Sequence, residues 1–389
     1  MLHAADHSWA AILSDEGCAA SGPYRSRAPD GAAEARGRMY ASIQYLRALA
    51  VVSVLVLHSH SVLPVPVARV PLLSEFGWVG VRLFFVISGF IVADRIGHCA
   101  DLRDYLIRRY VRVFPLYALA TAIALGAWLW TNTLPFTLGH TDSGLPFDPV
   151  WHAYLVQSLF IVPQDAWPVL AVGWSLEFEL AFYAAFGVTT FLAGGSQARL
   201  LLAALALAGA LGLVPGSHFA HTFMVYFLAG CLCRDVHRRW HRRWPDRTTG
   251  AAWATFAAAT PLWVLHLHGL VALGEVGFVV VSAVSFAALI LIGLAQEDRL
   301  PRLPVHRAVM AVGDASFAIY LVHWLVFFGL KPLLAEAALD PETAEAARWG
   351  IVSAAVLVSM IVHRRIETPL NRAVADRLRR PAGAAPTRA

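Results

Sequence analysis

The chain has 389 residues, of which 58% are hydrophobic and only 15% charged. A soluble domain carries about a quarter charged residues, so this balance excludes an ordinary soluble protein and indicates one polytopic membrane unit. The formal charge of +5 is no nucleic-acid signal, because the basic residues lie in short runs between apolar stretches, where the positive-inside rule puts them.

Residues 1–38 are polar, Ala/Gly-rich and Arg-containing, without the apolar core of a signal peptide. They read as a disordered extension, and Met39 is a candidate true start. Residues 39–370 form the membrane domain and 371–389 a basic cytoplasmic tail. Apolar stretches of spanning length occur at about 42–63, 78–95, 113–131, 172–194, 199–214, 219–234, 250–267, 272–294, 307–331 and 347–364. Residues 150–163 are apolar and aromatic but short and broken by Pro149 and Pro163, which fits an interfacial or re-entrant segment. The expectation is an all-α integral membrane bundle of about ten helices in the cytoplasmic (inner) membrane.

Charge orients it. With the N-terminus inside, the cytoplasmic segments 96–112, 235–249, 295–306 and the tail after 364 collect the arginines. The segment 332–346, with Glu336, Asp340, Glu342 and Glu345, falls outside. Both termini are then cytoplasmic. Cys18, Cys99, Cys231 and Cys233 have no metal-ligand or disulfide spacing and read as free thiols. No metal is expected.

Arg47 and His58 stand in the first apolar stretch, eleven residues apart. Three helical turns are about 10.8 residues, so both point to one face, roughly 16 Å apart along the axis. Ionisable groups inside a span are costly and face a protein interior or a water-filled path. A neutral imidazole takes a proton from a hydroxyl and returns it to a leaving group, which makes His58 a candidate general base. Arg109 and Arg112, three residues apart, share a helix face before the third stretch; with Arg47 they make a cytoplasmic-side anion pocket. Ordinary positive-inside anchoring explains such arginines as well. Glu177 and Glu179 lie about 200° apart on a helical wheel, so they cannot both face one cavity. Tyr320 and His323 are one turn apart on one face of the ninth stretch, a pattern that also suits helix–helix hydrogen bonding. Ser88-Gly89 is a small pair that permits close helix contact.

Taken together and in order, several segments resemble the acyltransferase-3 family, membrane proteins that O-acylate surface and exported sugars. The marks are Leu46-Arg47-Ala48 through His58, Phe84 to Phe90, Arg109-x-x-Arg112 followed by Pro115, Trp174-Ser175-Leu176 with Glu179 and Phe182-Tyr183, Ser316 through Tyr320 to His323, and Glu367-x-Pro369. The resemblance covers about residues 40–370. It implies a cytoplasmic acyl-CoA donor, often acetyl-CoA, and a saccharide or glycolipid acceptor, such as exopolysaccharide or lipopolysaccharide, reached from the outer side. His58 matches the essential histidine, Arg47 its partner, and Arg109 and Arg112 the paired arginines of donor handling. Trp174, Tyr320 and His323 are assigned to acceptor binding.

Many relatives carry an acid where this chain has Arg82 after Gly80-Val81. If that acid orients the histidine, another carboxylate must do so here. The candidates are Glu75 and Glu179, with Glu179 preferred, so His58 and Glu179 form the expected catalytic pair. The chain ends soon after the tenth stretch, so acceptor recognition is expected from the spans and from 132–171, where Trp151, Tyr154 and Trp167 can stack on sugars or anchor at the interface. Direct attack by the acceptor and a transient acyl-histidine both fit. The competing reading is a transporter or flippase of sugar-linked lipids with His58 in a proton relay.

Overall fold

A computed structural model describes residues 40–63, 73–131, 149–164, 166–241, 243–335 and 339–379. The N-terminal extension, Met39 and most of the 132–171 segment's first half lie outside the described residues. Among the described residues the secondary structure is entirely helical: α1 (Ala41–Ser59), α2 (Leu73–Arg95), α3 (Leu102–Thr131), α4 (Pro149–Phe160), α5 (Trp174–Ala193), α6 (Gly195–Ala210), α7 (Met224–Val236), α8 (Pro245–Leu267), α9 (Gly274–Ala295), α10 (His306–Asp314), α11 (Ser316–Ala335), α12 (Pro341–Val362) and α13 (Thr368–Arg379). The backbone polar groups are thereby satisfied within helices, as a bilayer requires.

Most of the apolar stretches coincide with one helix, but 307–331 is divided between α10 and α11. Among the described residues six segments are both long and apolar enough to cross a membrane: Ala41–Ser59, Leu102–Ala127, Ala171–Ala193, Gly274–Ala295, Ser316–Leu334 and Pro341–Asp376. The molecule is therefore an all-α, multi-pass membrane protein. Several of the others are shorter. α6 has 16 residues and α7 has 13, against roughly 17–25 for a spanning helix. α2, with 23 residues, is long enough to cross and carries Arg82 within its apolar stretch. α4 has only 12 residues.

Two boundaries differ from the sequence reading. Hydropathy starts the third span at residue 113, but α3 begins at Leu102, so Arg103, Arg108, Arg109 and Arg112 lie on the helix and not in a preceding loop. Arginine is a good helix former, and Asp104 in the first turn pairs with Arg108 at 2.9 Å. At the other end of the chain a helix continues past residue 371, where the tail is expected to begin. α13 runs to Arg379 and packs against α3; Glu367, just before it, and Asn371 and Ala375 within it are buried. That spacing of four residues is an amphipathic helical stripe.

α1 is central, touching α2, α9, α10, α11 and α12. Its N-terminus is capped from far away: the Glu297 carboxylate, just beyond α9, accepts from the Ala41 and Ser42 amides. A carboxylate there satisfies two orphan donors and complements the helix dipole. The tightest helix pair is α2 with α7. A Cβ on Gly89 would stand 2.1 Å from the Phe227 carbonyl oxygen, and one on Gly230 2.0 Å from that of Val86. Only glycine permits this approach, the role expected for Gly89. The basic helix ends meet at one end of the bundle, where Arg234 pairs with Asp94 at 3.5 Å and Arg199 with Asp235 at 3.2 Å.

Candidate active site

α1 holds Arg47 and His58 about 16 Å apart along its axis, and each meets a residue of α11. His58 sits in the last turn of α1, half-buried. Its Nδ1 lies 2.9 Å from Nε2 of His323. The two rings are nearly parallel, 5.2 Å between centroids, and the Trp324 ring stands edge-on to His58 at 5.2 Å. His323 is fully buried, and its Nδ1 donates to the Ile319 carbonyl at 2.9 Å. At the other end, Arg47 Nε donates to Ser316 Oγ at 3.0 Å and Nη1 to Gln44 Oε1 at 3.1 Å. Gln44 is itself held tightly: α10 closes on its backbone at Gly313, where a Cβ would fall 2.3 Å from the Gln44 carbonyl oxygen.

Between these ends lies a cavity of about 60 Å³ lined by Arg47, Ser88, Arg112, Glu179, Ser316 and Tyr320, among others. Two guanidinium groups and one carboxylate leave it cationic when all three are ionised, suited to an anionic ligand. Glu179 accepts from Ser88 Oγ at 2.5 Å and from the Tyr183 hydroxyl. Tyr320 donates its hydroxyl to the Val172 carbonyl at 2.9 Å, with Ser175 Oγ also at 2.9 Å. Both contacts orient the phenol from the start of α5.

The expected site residues divide accordingly. Arg47, Arg112, Glu179 and Tyr320 share the cavity. His58 and His323 form a pair beyond it, one turn along α11 from Tyr320. Glu179 does not orient His58 as expected: its hydrogen bonds go to Ser88 and Tyr183, and the partner on Nδ1 of His58 is His323. Arg109 separates from Arg112. It is buried, its guanidinium 5.7 Å from the centroids of both Tyr105 and Tyr183, and its Nε has no hydrogen-bond partner among the described residues. Trp174 packs against Trp167, Phe178 and Phe223, outside the cavity lining. Arg82, in the position of the missing acid, lies over the rings of Phe223 and Phe278 at 5.6 and 5.2 Å. The Glu75 side chain lies outside the described residues. Glu177 pairs with His218 at 2.8 Å, well away from Glu179's ligands.

Sequence reasoning missed Gln44 and Trp324, read Ser88 only as a packing residue and noted Ser316 only as a mark of the resemblance. Ser316 and Gln44 had a usable signal, since each lies at helical spacing from a residue already singled out. Among the described residues no group of three or more His, Cys, Asp or Glu is arranged to hold a metal ion.

Comparison with known proteins decides the family. A profile described as an acyltransferase domain matches residues 40–364. The chain belongs to the acyltransferase-3 family. Its relatives include the exopolysaccharide production protein ExoZ of Rhizobium meliloti (strain 1021), 28% identical over 318 residues that cover 76% of this chain and 90% of that protein. Another is the acyltransferase MdmB of Streptomyces mycarofaciens, 24% identical over 347 residues, covering 81% and 85% of the two chains. No solved structure matches. As an acyltransferase-3 member this multi-pass protein is a membrane acyltransferase, and Arg47, His58, Arg109, Arg112, Glu179 and His323 all fall within the matched residues.

Proposed function

We propose that this acyltransferase moves an acyl group, acetyl in the first instance, from cytoplasmic acyl-CoA to a hydroxyl of a cell-surface or exported saccharide. One observation carries the reading. Ser316, Tyr320 and His323 lie at i, i+4 and i+7 on α11, a single helical face. That face holds Arg47 at its start, lines the cavity in its middle and holds His58 at its far end. An anion site is thereby joined to a base over about 10 Å of helix. The acyl-CoA phosphates suit Arg47 and Arg112, and the thioester arm extends toward His58. Arg109 contributes its charge from behind the Tyr183 ring.

In this reading the acceptor oxygen attacks the thioester carbonyl while His58 takes the hydroxyl proton. The C–S bond then breaks, and the departing sulfur takes that proton back from His58. Holding donor and acceptor in line removes much of the entropic barrier. The same reading puts the α1 N-terminus in the cytoplasm, with about ten membrane-embedded helices, both termini inside and the inner membrane as location, which the basic helix ends support by the positive-inside rule. The saccharide acceptor is supported by the name of the ExoZ relative, and Trp167, half exposed at 52%, offers a face for a sugar ring.

The test is transfer from radiolabelled acetyl-CoA into the surface-glycan fraction by membranes with wild-type or His58→Ala protein at matched abundance. Label that depends on His58 is expected. Equal labelling by the two proteins would remove His58 from the chemistry, and no label from either would overturn the donor or the acceptor class.

A further inference from the structure

The missing acid at Arg82 raises the question of what fixes His58, and the hydrogen bonds answer it without a carboxylate. The Ile319 carbonyl can only accept, so Nδ1 of His323 carries a proton in that 2.9 Å contact. With the ring neutral, Nε2 of His323 then has a lone pair and accepts. Its neighbour 2.9 Å away, Nδ1 of His58, must donate. A neutral His58 with its proton on Nδ1 has its lone pair on Nε2. We infer that His323 is a positioning residue, which, anchored by the Ile319 carbonyl, holds His58 in the tautomer whose Nε2 is the base. This rests on the proposed role of His58 and deepens it.

The chain His58–His323–Ile319 does for a histidine base what a carboxylate does in other catalytic arrangements: it sets tautomer and ring orientation. A carboxylate also stabilises the imidazolium by its charge, whereas here a neutral imidazole supplies only a lone pair and a dipole. This arrangement also explains how Glu179 is free to bond Ser88 and Tyr183, and how Arg82 can occupy the acid's place over two phenylalanine rings. The proton balance is simple. Nε2 of His58 receives the acceptor's proton and gives it to the leaving sulfur, while Nδ1–H of His58 stays bonded to His323 and His323's own proton stays bonded to the Ile319 carbonyl. Nothing need travel along the chain. Burial agrees with the division of labour: His323 is 0% exposed, whereas His58 is only partly buried.

Two variants and one spectrum test it. His323→Leu removes the acceptor and is expected to lower kcat on the order of 10²-fold with KM for acyl-CoA unchanged, since general-base catalysis contributes on that scale. His323→Gln places an amide oxygen near the Nε2 position and is expected to recover most of the rate. A fully active His323→Leu, or a His323→Gln as inactive as His323→Leu, would overturn the inference. The spectrum needs no variant to be active. In the ¹⁵N-histidine-labelled wild-type protein in bilayers, with the His58 signals assigned by difference from His58→Gln, Nδ1 should be protonated and Nε2 not; the opposite tautomer overturns it. If His58→Ala retains transfer, the base itself is wrong, a failure separate from an active His323→Leu beside an inactive His58→Ala.

Discussion

Arg47 shows how much a single residue's placement depends on neighbours that carry no charge. A guanidinium buried in a span needs its five donors satisfied. Ser316 Oγ and Gln44 Oε1 take two of them and aim the rest toward the cavity that Arg112 and Glu179 complete. A hydrogen bond to a charged group contributes about 1.5–3 kcal/mol, and about 1.4 kcal/mol is tenfold in affinity. If acyl-CoA binds there as proposed, Ser316→Ala is therefore expected to raise its KM about tenfold while leaving kcat nearly unchanged, because Ser316 touches Arg47 and not His58. Arg47→Lys keeps the charge but loses the planar fork, and should raise KM further. Steady-state kinetics with varied acetyl-CoA separates the two quantities, and an Arg47→Lys enzyme with wild-type KM would remove the guanidinium from the donor site.

Between helices, steric fit is the variable. Gly89 and Gly230 face each other's helix at distances no side chain tolerates, so Gly89→Ala or Gly230→Ala must push α2 and α7 apart. Such overpacking costs typically about 1–3 kcal/mol. Gly126 in α3 has nothing within 4 Å of its would-be Cβ, and Gly126→Ala should be neutral or stabilising by up to about 1 kcal/mol from helix propensity alone. Thermal unfolding in detergent should rank the Gly89 and Gly230 variants below wild type and the Gly126 variant at or above it. The reverse order would mean that the α2–α7 contact is soft. These elements also show what a sequence can and cannot tell. Apolar length located the helices, and the eleven-residue spacing placed Arg47 and His58 on one face, because both are local periodicities. The His58–His323 contact joins positions 265 residues apart, and no local pattern encodes it. Arg109 and Arg112 mark the limit of periodicity: three residues apart, they differ by about 60° around the helix, and that offset suffices to put one between two tyrosines and the other in the cavity. Hydropathy likewise missed the first turns of α3, since it registers the apolar part of a helix and not the charged turns that continue it.

For the whole molecule, the arrangement of charge sets a direction for the reaction. Glu297 caps α1 from the α9–α10 connection, Tyr45 reaches His306 and the Leu300 carbonyl, and Asp94 meets Arg234. These contacts tie one end of the bundle together, the end that carries Arg95, Arg234 and Arg299, whereas Arg348 lies near His60 at the other. His58 lies toward the opposite end, in the last turn of the same helix whose first turns present Arg47. If the basic end is cytoplasmic, an acyl donor enters beside Arg47 and Arg112, and the acceptor meets His58 from outside. The acyl group then crosses most of the span without the saccharide or the CoA doing so. This predicts opposite accessibility for two engineered thiols. Ser217→Cys, in the connection between α6 and α7, should react with a membrane-impermeant maleimide in intact cells. Arg299→Cys, beyond α9, should react only after permeabilisation. Cys231 and Cys233 are buried and should remain silent in both. Labelling of Arg299→Cys but not Ser217→Cys in intact cells would invert the molecule, place the arginine site outside, and leave cytoplasmic acyl-CoA without a route to it.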